Sequence, residues 1–163
     1  MGRRRIIWLA VLGTLAVFQL QGQTYTLSIN STAAWAPLAE FTGVAGEDYP
    51  ASFESAANEY RFTVSRPGPP STDPYEVTVR RQDTVWNAGL TLDVRRTGDG
   101  GGGGTISGGL SYQEIGTTDA PFWTGTGRKN NIPVQLRISG AFGGAGIPAG
   151  TYTTTVIYTI TDT

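Results

Sequence analysis

The chain has no cysteine and no histidine among its 163 residues. Without cysteine there is no disulfide framework, no thiolate nucleophile and no iron–sulfur or zinc-thiolate site. Without histidine the commonest general base and the commonest transition-metal ligand are missing. Ser-His-Asp catalysis and HExxH zinc chemistry are therefore excluded. Lysine is nearly absent as well, since Lys129 is the only one beside eleven arginines. A Ser-Lys mechanism is a poor prospect with that lysine in a turn-like Gly-Arg-Lys-Asn stretch. Paired carboxylates remain, yet the adjacent Glu47 and Asp48 point to opposite faces of an extended segment and make no ready acid/base pair with Glu54. Asp99 lacks the neighbouring carboxylates that calcium needs. No catalytic, cofactor or metal residues are assigned, and the protein is not expected to be an enzyme.

Long apolar runs are also scarce. The exception is Ile6 to Phe18, broken by Gly13 and Thr14 and preceded by Met1-Gly2-Arg3-Arg4-Arg5. A membrane span needs ~20 apolar residues. A basic start followed by a shorter apolar stretch has the proportions of a secretory signal peptide, and Leu20-Gln21-Gly22 is the nearest cleavage candidate. Residues 1–22 are thus expected to be removed on export, to the periplasm, the cell surface or the medium. No stable membrane span would remain. Residues 23–163 suffice for a single secreted domain with a proper core. Loss of Arg3, Arg4 and Arg5 leaves nine basic against thirteen acidic side chains, a formal charge of −4. Nucleic acid, which requires a concentrated basic footprint, is not an expected partner.

What the sequence has in abundance is period-two alternation. Thr24 to Asn30 places Tyr25, Leu27 and Ile29 on one face, and Glu59 to Ser65 places Tyr60, Phe62 and Val64. Tyr75 to Arg81 and Leu90 to Arg96 alternate in the same way, as do Thr105 to Ile115 (through Ile106, Leu110 and Tyr112) and Ile132 to Ser139. At the C-terminus Tyr152, Val156, Tyr158 and Ile160 share one face, opposite Thr153, Thr155, Thr159 and Thr161. The expected fold is all-β, an immunoglobulin-like antiparallel β-sandwich of about seven strands. A chain ending in a core strand leaves an edge that wants a strand from elsewhere.

Glycine and proline punctuate these strands. Arg66-Pro67-Gly68-Pro69-Pro70 must be a loop. Gly100 to Gly104 reads as a mobile hairpin tip, not a P-loop, because no Gly-Lys-Ser/Thr follows. Ala51 to Ala57 reads as a short helical turn. Val77-Thr78-Val79-Arg80-Arg81 echoes Leu92-Asp93-Val94-Arg95-Arg96 fifteen residues later. That spacing predicts neighbouring strands of a meander, with Glu76, Arg80, Asp93 and Arg95 pairing across them. The paired arginines as an anion site are the alternative. Trp35, Trp86 and Trp123 survive cleavage and are read as core or lid residues, or else as a stacking platform for carbohydrate.

The ending Ile147-Pro148-Ala149-Gly150-Thr151-Tyr152, followed by alternating Thr, Val, Tyr and Ile, resembles the final strand of bacterial spore-coat-U-type and related fimbrial, pilin-type secreted subunits. The resemblance covers about the last sixteen residues and, loosely, the N-terminal strand. It implies an incomplete immunoglobulin-like fold completed by a strand from a neighbour. It also implies that Tyr25, Leu27 and Ile29 serve as a donated strand, filling a groove beside Tyr152, Val156, Tyr158 and Ile160. The same segment can instead be the domain's own first strand, which gives a self-complete monomer. The expected function is an exported structural or assembly subunit of the cell surface, fimbria- or coat-like, with itself or related subunits as partners. The alternative is a secreted monomeric binding module with a glycan as partner.

Overall fold

A computed structural model describes residues 7–12, 25–30, 34–39, 50–68, 72–142 and 146–163. The Gly22 cleavage site and the Glu47–Asp48 pair lie outside them. The described residues form strands and connections, with no helix. In chain order the strands are β1 (Ile7–Leu12), β2 (Thr26–Ile29), β3 (Leu38–Ala39), β4 (Ser52–Glu54), β5 (Tyr60–Ser65) and β6 (Pro74–Val85). They continue with β7 (Leu90–Arg96), β8 (Ile106–Ser107), β9 (Gln113–Glu114), β10 (Ala120–Thr126), β11 (Lys129–Gly140) and β12 (Thr151–Asp162). One sheet runs β3-β1-β12-β6-β10-β8, and the other runs β2-β5-β11-β7-β9 with β4 also on β11. The fold is an all-β sandwich of two largely antiparallel sheets.

Alternation along each strand decides what enters the space between the sheets. Leu27, Phe62, Val64, Leu92, Val94, Val134, Leu136 and Ile138 point inward from the second sheet; Tyr75, Val77, Val79, Val156, Tyr158 and Ile160 do so from the first. An aromatic cluster joins the two layers. The Phe62 ring on β5 lies 4.6 Å from that of Tyr158 on β12 and 5.6 Å from Trp123 on β10. Both contacts are edge-on, the arrangement that ring quadrupoles favour.

Four expectations are corrected here. The segments around Val77 and Leu92 are not meander neighbours, because β6 and β7 lie in different sheets. Their charges therefore pair elsewhere, Arg80 with Asp119 at 3.7 Å and Asp93 with Arg137 at 3.0 Å. Ala51 to Ala57 makes no helical turn, since Ser52–Glu54 pairs with the far end of β11. Thr105 to Ile115 is two short strands in different sheets, with Leu110 exposed between them. The glycine run is no free tip: Gly101 exchanges two backbone hydrogen bonds with Asn130, of 2.7 and 3.0 Å. Arg96 holds the run's two flanks. Its buried guanidinium donates to the Gly98 and Gly108 carbonyls at 2.9 and 2.8 Å and pairs with Asp99.

Candidate functional site

β12 is a twelve-residue strand at the C-terminus of the chain. Its inner face carries Tyr152, Thr154, Val156, Tyr158 and Ile160, all buried. The structure thus brings the four C-terminal residues singled out from sequence onto one face, as alternation requires. Two polar contacts fix the start of the strand. The Tyr152 hydroxyl donates to the Pro148 carbonyl at 2.7 Å, closing the preceding turn. Thr154 is fully buried, and its hydroxyl is shared between the Asp83 carboxylate at 2.8 Å and the Gln82 carbonyl at 3.1 Å. That anchor sits where the β6–β12 register shifts, between Thr153 and Thr154.

One edge of β12 is paired antiparallel with β6 from Thr153 to Asp162. The other edge carries β1, in parallel, with Trp8 opposite Thr151 and Leu12 opposite Thr155. Every other strand ladder among the described residues is antiparallel. Among the described residues β3 in turn pairs only with β1. The geometry therefore offers main-chain donors and acceptors along Thr151–Thr155 that a sequence-distant strand satisfies. Its chemistry is hydrogen-bond pairing, not bond-making.

Tyr25, Leu27 and Ile29 are not on this edge. Leu27 and Ile29 belong to β2, with Tyr25 immediately before it, and β2 pairs antiparallel with β5 in the opposite sheet. Tyr25 and Leu27 are buried and Ile29 packs against the same core. The Tyr25 hydroxyl donates to the Asp73 carbonyl at 2.8 Å and accepts from the Gly127 amide at 3.1 Å. Its ring lies 4.9 Å from that of Tyr75. The Asn30 amide group reaches Asn131 at 3.3 Å, at a bulge where Asn131 takes a left-handed conformation that asparagine tolerates.

The tryptophans do not converge. Trp123 is buried in the aromatic cluster, and Trp35 is buried with its backbone amide donating to the Tyr60 hydroxyl at 3.1 Å. Trp86 is half-buried under the Arg81 guanidinium, 4.8 Å from its ring. No common exposed indole face results. The four strand arginines do not converge either, since alternation sends Arg95 outward and Arg96 into the core. Arg95 donates twice to Gln135, and Arg81 pairs with Asp83 and donates to the Ile115 carbonyl.

Sequence reasoning missed an outer-face cluster centred on Tyr112. The Arg137 and Arg95 guanidinium groups lie 4.0 and 4.5 Å from its ring. Burial, then the neighbouring Glu54 carboxylate, raise the Tyr112 pKa. Only the register of three strands assembles this cluster, so no local sequence signal marks it. Among the described residues no group of three His, Cys, Asp or Glu is placed to hold a metal ion. Nor is any helix long and apolar enough to cross a membrane. Compared with known proteins, the chain matches no family model and no curated sequence.

Proposed function

We propose that the protein is an exported structural subunit of a bacterial cell surface, fimbria- or coat-like, that assembles by strand addition at the β12 edge. In this reading the sandwich is an incomplete immunoglobulin-like fold, and the place beside its last strand belongs to a strand from another subunit. The observation that carries it is the parallel pairing of β12 with a segment 143 residues away in sequence, Trp8 lying opposite Thr151. An edge that recruits a strand from so far along the chain is a template for β-augmentation. The basic start and apolar stretch at residues 1–22 support export. The burial of Tyr25 and Leu27 favours β2 as a strand each subunit keeps. The donated strand then comes from outside that segment.

Light scattering on the size-exclusion eluate of residues 23–163 tests the reading. Multimers that resist SDS or mild heating are the expected result. A monomer at every accessible concentration sinks it. The glycan-binding alternative gains no support from the tryptophans, two of which are buried and the third covered by Arg81.

A further inference from the structure

We infer that the apolar half of the leader is a self-supplied guard strand, covering the β12 edge until processing removes it. This deepens the assembly reading and rests on it for its purpose, although the guard itself is tested separately. The observations are three. β1 lies wholly within the residues expected to be cut away on export. It lies opposite Thr151–Thr155, and Thr151 and Tyr152 lie beyond the reach of the β6 ladder. It is also the one parallel strand ladder among the described residues.

Orientation and tether together make such a strand replaceable. A parallel pairing is somewhat less stable per residue than an antiparallel one, and this one spans only five residue pairs. While the leader is covalently attached, its effective concentration at the edge is on the order of millimolar. Cleavage turns that intramolecular contact into a bimolecular one, and the short strand dissociates. The Thr151–Thr155 edge then opens at the moment the protein reaches the compartment where it assembles. An uncut chain cannot assemble prematurely, because its edge is already filled. β3, which pairs only with β1, loses its partner in the same step.

The test is amide hydrogen exchange on the full 163-residue chain, produced without export so that the leader stays attached. Wild type is compared with Ala10→Pro, a residue a sheet strand tolerates poorly, placed at the middle of the β1–β12 register, where Ala10 lies opposite Thr153. The expected result is at least about tenfold faster exchange in the segment 151–155, with segments 92–94 and 134–138 unchanged. A synthetic peptide of residues 3–12, kept soluble by its three arginines and added at about the millimolar level the tether had supplied, should restore protection to the variant. Unchanged exchange at 151–155 overturns the guard. So does simultaneous loss of protection at 92–94 and 134–138, because β1 would then be an integral strand that cannot leave. The oligomeric state of the same variant judges the assembly reading independently. An opened edge on a monomer keeps the guard and removes the assembly.

Discussion

Tyr158 illustrates how much a single side chain on β12 costs and contributes. Its ring completes the aromatic cluster, yet its buried hydroxyl has no hydrogen-bond partner among the described residues. A buried, unsatisfied hydroxyl costs about 1–3 kcal/mol. Tyr158→Phe keeps the ring and deletes the hydroxyl, so it should be neutral or stabilising by about 1 kcal/mol at neutral pH in a thermal melt. Burial also raises the Tyr158 pKa well above the usual tyrosine value, with the neighbouring Tyr60 adding to the shift. Burial likewise pushes Tyr75 up to about 12, aided by Tyr25 and opposed by Arg96. The sign follows from linkage. Above about pH 10 the unfolded chain releases tyrosine protons that the folded protein keeps, so stability must fall as pH rises. Melting temperature should be flat in this respect up to about pH 9 and drop between about pH 10 and 12, less steeply in Tyr158→Phe. Equal slopes in the two proteins would refute the assignment. Arg96 is the opposite case, a buried cation whose guanidinium makes four hydrogen bonds, to Gly98, to Asp99 and twice to Gly108. Arg96→Ala strands the Gly98 and Gly108 carbonyls and should cost about 2–4 kcal/mol by denaturant unfolding, whereas Arg95→Ala on the outer face should cost under about 1.

The glycine tract shows what an element can hide from its sequence. Gly104 has φ +101°, and a Cβ there would run into the Thr126 carbonyl oxygen. Gly103 has an ordinary φ and open space around its missing side chain. Gly104→Ala should therefore cost about 2 kcal/mol or more, and Gly103→Ala less than about 0.5, in paired denaturant titrations. A freely mobile tip would tolerate both alike. The tract reads as mobile because composition reports conformational freedom, while the pairing of Gly101 with Asn130 and the grip of Arg96 are set by tertiary structure. The strands that were legible, such as β5, β7, β11 and β12, keep strict alternation along most of their length. β10 was not legible. Its register shifts between Pro121 and Trp123, so Phe122 and Trp123 are both buried and the period-two signal breaks. β4 was misread because three residues take strand form only by pairing with Arg137–Ser139. On β12 the inner face was legible residue by residue. The occupant of its edge was not, because edge pairing is made by backbone groups that every sequence possesses.

For the molecule as a whole, the question is whether β2 stays in the sheet of its own chain or is exchanged between chains. Side-chain pattern alone allowed Tyr25, Leu27 and Ile29 either role. The two-sheet architecture separates the alternatives energetically. Leu27 is buried between the sheets, and Tyr25 ties β2 to Asp73 and Gly127 within the same chain. Those contacts are made within one chain. Leu27→Ala in the full 163-residue chain, whose β12 edge β1 occupies, should then cost about 2–5 kcal/mol of unfolding free energy, a cavity-forming loss. That cost should be the same at every protein concentration, because no partner enters the equilibrium. If β2 were exchanged between chains, unfolding would be coupled to dissociation, and the midpoints of wild type and variant would both rise with concentration. Denaturant unfolding of wild type and Leu27→Ala over a hundredfold range of concentration, about the span needed to expose a mass-action shift, decides between the two. Concentration-independent midpoints make β2 the chain's own strand and leave the β12 edge as the place for the strand addition proposed above. Concentration-dependent midpoints return β2 to the role of donor.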